Sequence, residues 1–158
     1  MEQDGFADLF FGHAARMVRL AALLGADDPE DVVQEAFCKV YGGRHRLRGD
    51  GDRVVAYLNR TVLNEVRSRH RRVTTARSKA HLLVPDLVSS GPDAVDSHAV
   101  VTALGRLPER KREALVLRYW LDLPNAEIAE VMGVRVGTVK ALLSRGLDAL
   151  AADLEVER

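Results

Sequence analysis

Apolar residues recur along this chain at spacings of three and four, and no segment alternates cleanly with a period of two, so the pattern is helical throughout. The first helical pattern covers residues 6–24 and stops at Gly25. Asp28 is a good N-cap, and Pro29 suits the first helical position behind it. Glu30 and Asp31 complement the positive end of that second helix, which should run to Tyr41 and end at Gly42 and Gly43. A basic, glycine-containing loop over 44–52 leads into a long helix over 53–72. From 73 to 97 the period fades, and Pro85, Ser89, Ser90, Gly91 and Pro92 mark a linker, with a short helical piece around 80–83. Periodicity returns over 98–107, 109–121, 125–132 and 136–154. The expected fold is all-α: two small helical domains, 1–73 and 98–158, joined by a flexible linker over 74–97.

Composition narrows the class without naming it. The chain has 158 residues, 47% hydrophobic and 29% charged, a balance normal for a globular protein. Asp8, His13, Arg16 and Arg19 interrupt the first apolar stretch, so no signal peptide is expected. No apolar run nears the roughly 20 residues a membrane helix needs. The single cysteine, Cys38, excludes an internal disulfide, and a cytoplasmic location is expected. Within the second helix Cys38 reads as a partly buried small residue without chemistry of its own. His13, His45, His70, His81 and His98 lack ligand spacing, and no phosphate-binding loop is present. Neither an enzyme nor a metal or other cofactor is expected.

Charge changes the picture more than composition does. The formal net charge is zero, yet five acids and no base lie between Asp27 and Glu35. Between Arg44 and His81 there are eleven Lys or Arg against Asp50, Asp52 and Glu65. Two oppositely charged surfaces suggest two partners, one of them polyanionic. On the second helix Asp31, Gln34, Glu35 and Cys38 share one side, opposite the apolar Val32, Val33, Ala36, Phe37, Val40 and Tyr41. On the long helix Val54, Val55, Leu58, Val62 and Val66 should face inward. Tyr57, Arg60, Asn64, Arg67 and Arg71 then line another stripe. That stripe combines cations for phosphate, an amide for base edges and an aromatic ring for stacking. Arg44, Arg46 and Arg48 in the preceding loop add to it.

The sharpest local signal lies at 123–145: Leu-Pro-Asn-Ala-Glu-Ile-Ala-Glu-Val-Met-Gly-Val-Arg-Val-Gly-Thr-Val-Lys-Ala-Leu-Leu-Ser-Arg. Ile128, Ala129 and Met132 supply the apolar face of a short helix, Gly133 ends it, and Val134 can plug the corner. The following helix should bury Val136, Val139, Leu143, Leu147 and Leu150. Its other face shows Thr138, Lys140, Ala141, Ser144 and Arg145. Short polar and basic residues near the start of a second helix suit entry into a DNA major groove.

Three segments in order carry a resemblance. Asp28-Pro-Glu-Asp-Val-Val-Gln-Glu-Ala-Phe37 resembles the polymerase-binding signature in region 2 of bacterial sigma factors. Tyr57-Leu-Asn-Arg-Thr-Val-Leu-Asn64 with Arg67-Ser-Arg-His-Arg-Arg72 is similar to that region's promoter-reading helix. Leu107-Pro-Glu-Arg-Lys-Arg-Glu-Ala-Leu115 and the helix-turn-helix resemble region 4. Order, spacing and the missing middle domain resemble the extracytoplasmic-function (ECF) group, and Ser144-Arg-Gly-Leu147 its actinobacterial members. The resemblance implies that Asp31, Gln34 and Glu35 dock on core RNA polymerase. It implies that Arg44, Arg46, Arg48, Tyr57, Arg60, Asn64, Arg67 and Arg71 read and melt the −10 element. It also implies that Arg135, Thr138, Lys140, Ser144 and Arg145 face the −35 element. Core RNA polymerase and promoter DNA are then the partners, an anti-sigma factor is a further candidate, and no membrane is involved. Arg135, Ala141, Leu142 and Asp148 depart from the residues usual in the family.

An ordinary helix-turn-helix regulator is the competing reading. It has no need of the Asp-Pro-Glu-Asp helix or of a second DNA-facing stripe. The Pro, Gly and Ser content of 84–96 gives a first prediction: limited proteolysis cuts there before anywhere else and leaves two helical fragments. First cuts at other places would overturn the two-domain division.

Overall fold

The computed structural model describes residues 3–43, 51–76 and 94–156. The described residues form seven helices and no strand: α1 (Gln3–Leu23), α2 (Pro29–Gly42), α3 (Gly51–Ala76), α4 (Ala94–Arg106), α5 (Glu109–Tyr119), α6 (Asn125–Met132) and α7 (Val136–Val156). The chain divides into two compact units, Met1–His81 and Leu82–Arg158. Arg44, Arg46 and Arg48 lie outside the described residues, as does the helical piece expected at 80–83.

In the first unit α1, α2 and α3 pack on one another. The entry to α2 is made as its sequence dictates. The Asp28 carboxylate accepts from the Asp31 backbone N–H at 3.2 Å, and Pro29 stands at the start of the helix. Gly25 takes the left-handed conformation (φ 92°) that closes α1. Its carbonyl oxygen accepts from His70 Nε2 at 3.0 Å, which ties the α1–α2 turn to α3. Met17, Leu20, Val32, Val40, Leu58, Val62 and Leu63 are almost wholly buried between the three helices. Each aliphatic side chain of that size contributes roughly 1.5–3 kcal/mol when fully buried. Phe6 and Phe10 meet Phe37 edge-on at centroid distances of 6.0 and 4.6 Å, and Phe6 meets Tyr41 at 4.8 Å. These rings fasten α1 to the apolar side of α2. Val54 and Val66 are buried as expected, and Val55 is half-buried. Cys38 is exposed rather than partly buried, because it lies opposite Val33, Ala36 and Phe37, which occupy the packed side.

In the second unit α7 packs against α4, α5 and α6. Gly133 adopts the left-handed conformation (φ 71°, ψ 36°) and ends α6, with the Val134 N–H donating to the Ala129 carbonyl at 3.0 Å. Arg110 on α5 donates to the Met132 carbonyl at 3.4 Å and holds that corner from the other side. The apolar stripe expected on α7 is rotated in the structure. Val139 is buried, Leu143 and Leu150 are half-buried, but Val136 and Leu147 are 40% and 42% exposed. The cause is Gly146, which is buried: a Cβ there would stand 3.2 Å from both Cγ and Cδ1 of Leu115. α5 therefore meets the bare backbone of α7, and the packed line runs through Val139 and Gly146. Val136 and Leu147 fall roughly 80° round the helix from that line.

Two glycines separate the forces at work. At Gly146 a Cβ would press on the Leu115 side chain at 3.2 Å, whereas a Cβ at exposed Gly12 in α1 meets nothing within 4 Å. Gly146→Val should destabilise the protein by about 1–3 kcal/mol through overpacking. Gly12→Ala should stabilise it by about 0.5–1 kcal/mol through helix propensity. Chemical denaturation measures both, and a Gly146→Val protein of unchanged midpoint would refute the close approach.

Candidate nucleic-acid and partner interfaces

Two surfaces of the first unit meet along the α2–α3 seam. A groove of about 500 Å3 is lined by Lys39 from α2 and by Tyr57, Arg60, Thr61, Asn64, Glu65, Ser68 and Arg71 from α3. The structure thus brings together four of the residues selected from the sequence: Tyr57, Arg60, Asn64 and Arg71. Arg67 is not among the lining residues and is half-buried. The row that faces the groove steps from Asn64 to Ser68 and Arg71, which leaves Arg67 to one side. Tyr57 is 43% exposed, enough to offer a ring face to a ligand.

An ionic chain starts at the groove wall, with Lys39 and Glu65. Glu65 is buried, with 5% of its side chain exposed, and each of its oxygens has a cation. Oε2 accepts from Lys39 Nζ at 2.7 Å and Oε1 from Arg69 Nε at 3.1 Å. Arg69 Nη2 continues the chain to Asp31 Oδ2 at 2.8 Å. Burial pushes the Glu65 carboxyl upward, but the hydrogen bonds and charges of Lys39 and Arg69 outweigh it and hold the group below the ordinary carboxylate value. Arg69 is shifted likewise: burial lowers its pKa, and its bonds to Glu65 and Asp31 more than restore it.

The acidic stripe of α2 is exposed as expected at Asp31, Gln34 and Glu35. Asp31 is nevertheless held by Arg69 from the neighbouring helix, which no spacing within α2 could indicate. In the second unit Arg135, Thr138, Lys140, Ser144 and Arg145 are all exposed. On α7 the last four span one arc away from Val139 and Gly146, with Ala141 half-buried within it and Asp148 exposed on it. Arg135 stands just before α7, and its carbonyl oxygen accepts from the Val139 N–H at 3.1 Å. Among the described residues no group of His, Cys, Asp or Glu could hold a metal ion, and no helix is long and apolar enough to cross a membrane.

Residues 6–75 match the family model of sigma-70 region 2, and residues 97–150 match that of sigma-70 region 4. The RNA polymerase sigma-E factor of Streptomyces antibioticus is 31% identical over 81% of this chain and 71% of its own length. The ECF RNA polymerase sigma factor SigC of Mycobacterium tuberculosis is 33% identical over 86% of this chain and 75% of its own. This chain belongs to the sigma-70 family. Within it, the chain is an ECF sigma factor of actinobacterial type. Among solved structures, CnrH in complex with the cytosolic domain of CnrY aligns with a TM-score of 0.72 at 27% identity, covering 99% of this chain and 92% of CnrH.

Sequence reasoning missed Lys39, Thr61, Glu65 and Ser68 in the groove of this sigma factor. Lys39 lies one turn beyond Glu35 on the face already singled out, and Glu65 is an acid in a strongly basic helix. Those were the available signals, and only the packing of α2 on α3 joins them.

The depressed Glu65 carboxyl fixes a direction in pH. A carboxylate whose folded pKa lies below its unfolded one stabilises the protein above the unfolded value, near 4.3 for Glu. That contribution is lost as pH falls through the folded value. Glu65→Gln should therefore cost stability at neutral pH, and the difference from wild type should shrink as urea unfolding is repeated below about pH 4. A difference independent of pH would show that the charge on Glu65 does not contribute.

Proposed function

We propose that this sigma factor binds core RNA polymerase in the cytoplasm, reads the −35 and −10 promoter elements and promotes melting at the −10 element. The observation that carries the reading is the α2–α3 groove. Its ring, amide and guanidinium groups, Tyr57, Asn64, Arg60 and Arg71, are those needed to stack a base, meet its edge and neutralise phosphate. Unstacking a base costs a few kcal/mol, and such contacts offset that cost once the strand is open. Arg44, Arg46, Arg48 and Arg67 are assigned to the same strand on the family likeness. Arg135, Thr138, Lys140, Ser144 and Arg145 are assigned to the −35 element. Their support is exposure at the start of the second helix of a helix-turn-helix, held at its corner by Gly133.

Asp31, Gln34 and Glu35 are assigned to the polymerase. Their support is an exposed acidic and polar face outside the apolar packing of α2, tied to α3 only through the Asp31–Arg69 pair among the described contacts. The domain roles follow: 1–73 for polymerase and the −10 element, 98–158 for the −35 element, with 74–97 between them. An anti-sigma factor is a further candidate partner, by likeness to CnrH, whose structure contains the cytosolic domain of CnrY.

Run-off transcription from genomic promoter fragments with core polymerase tests the whole reading. Transcription should depend on the sigma factor. Tyr57→Ala should weaken open-complex formation by about 1–3 kcal/mol, the value of one base–aromatic stack. Lys140→Ala and Arg145→Ala should instead weaken the closed complex and reduce its salt slope by about one per phosphate contact. Asp31→Ala with Glu35→Ala should weaken binding to core polymerase without loss of helicity. If the protein alone occupies a specific duplex and polymerase changes neither footprint nor transcript, the sigma reading fails and a simple regulator replaces it.

A further inference from the structure

The groove contains a residue that neither the sequence pattern nor the family likeness selected. We propose that Lys39 binds a phosphate of the single strand lying in the groove, and that Glu65 is the residue that positions it. This rests on the reading of the groove as a site for melted promoter DNA.

Three observations support it. First, Lys39 is the lining residue that α2 contributes among those described, whereas the others come from α3. A strand in the groove would be held from both sides of the seam only through Lys39. Second, the pair is uneven: Glu65 is buried, while 53% of the Lys39 side chain is exposed. An ammonium has three N–H donors, and Glu65 takes one of them at 2.7 Å. The outer part of the group is left to a ligand, and its position is set before the ligand arrives. Holding a long side chain in place in this way lowers the ordering cost of binding. Third, the acid does not oppose an anion. Both oxygens of Glu65 are engaged, by Lys39 and Arg69, and only 5% of its side chain is exposed. The exposed lining charges are then Lys39, Arg60 and Arg71, all positive.

A merely structural salt bridge is the competing account. As such a bridge, Lys39 would only neutralise the buried Glu65 carboxylate and hold α2 on α3. It would also leave strand affinity untouched when Lys39 is removed.

The test uses holoenzyme assembled from core polymerase and the full-length sigma factor, with core polymerase alone as blank. The probe is a fluorescein-labelled pool of single-stranded DNA 12-mers of randomised sequence, followed by anisotropy over a series of salt concentrations. Lys39→Ala should weaken binding at least about threefold and flatten the log–log salt slope by about 0.7, the value for one phosphate on a single strand. Lys39→Arg should restore the slope. Glu65→Gln, which keeps the cation and loosens its seat, should weaken binding with the slope retained. Tyr57→Ala separates this inference from the reading beneath it. If Tyr57→Ala weakens binding and Lys39→Ala changes neither affinity nor slope, the role of Lys39 is overturned while the groove stands. If neither substitution has an effect, the groove reading falls and this inference with it. Affinity of each variant for core polymerase, measured in parallel, excludes a loss through failed assembly.

Discussion

A carboxylate shielded from water must be matched by cations, and in this protein that requirement falls on Glu65. Its two oxygens draw Lys39 from α2 and Arg69 from its own helix, and Arg69 reaches Asp31, so the chain ties α3 to α2 at two points. The apolar contacts of Val32, Val40, Leu58 and Val62 supply most of the driving force for that packing, but they have no direction. The ionic chain does have one. Removing Glu65 would leave the helices their oily interface and deprive the groove of its floor.

The same chain joins two surfaces that the proposed function keeps apart. Asp31 belongs to the face assigned to polymerase, Lys39 to the groove assigned to DNA, and Arg69 and Glu65 lie between them. In the free protein Asp31 is already paired. A partner that recruits it must compete with Arg69, so its gain is the difference between two ion pairs rather than the whole of one.

Much of this fold was legible in the sequence because its boundaries are local. Asp28 and Pro29 begin α2, Gly25 closes α1 and Gly133 closes α6, each for reasons contained within one turn of chain. The exposed residues of α7 were legible for the same reason. The rotation of α7 was not. Periodicity marked Val136 and Leu147 as core, but the packed line is set by the approach of Leu115 to Gly146, residues far apart in sequence. A hydrophobic stripe wider than one row cannot say which of its rows meets a neighbour. The groove was half legible: the row from Tyr57 to Arg71 could be read along one helix. Lys39, and the passing over of Arg67 in favour of Ser68, depend on a second helix.

The packed line of α7, through Val139 and Gly146, shares no residue with its exposed arc at Thr138, Lys140, Ser144 and Arg145. If the arc reads DNA as proposed, folding and recognition are written in different letters of one helix. Substitutions on an exposed arc of this kind usually move stability by no more than about 0.5 kcal/mol. The exposed arc can therefore change its side chains while the scaffold beneath stays the same. Under that reading, a change of address would not require the folding problem to be solved again.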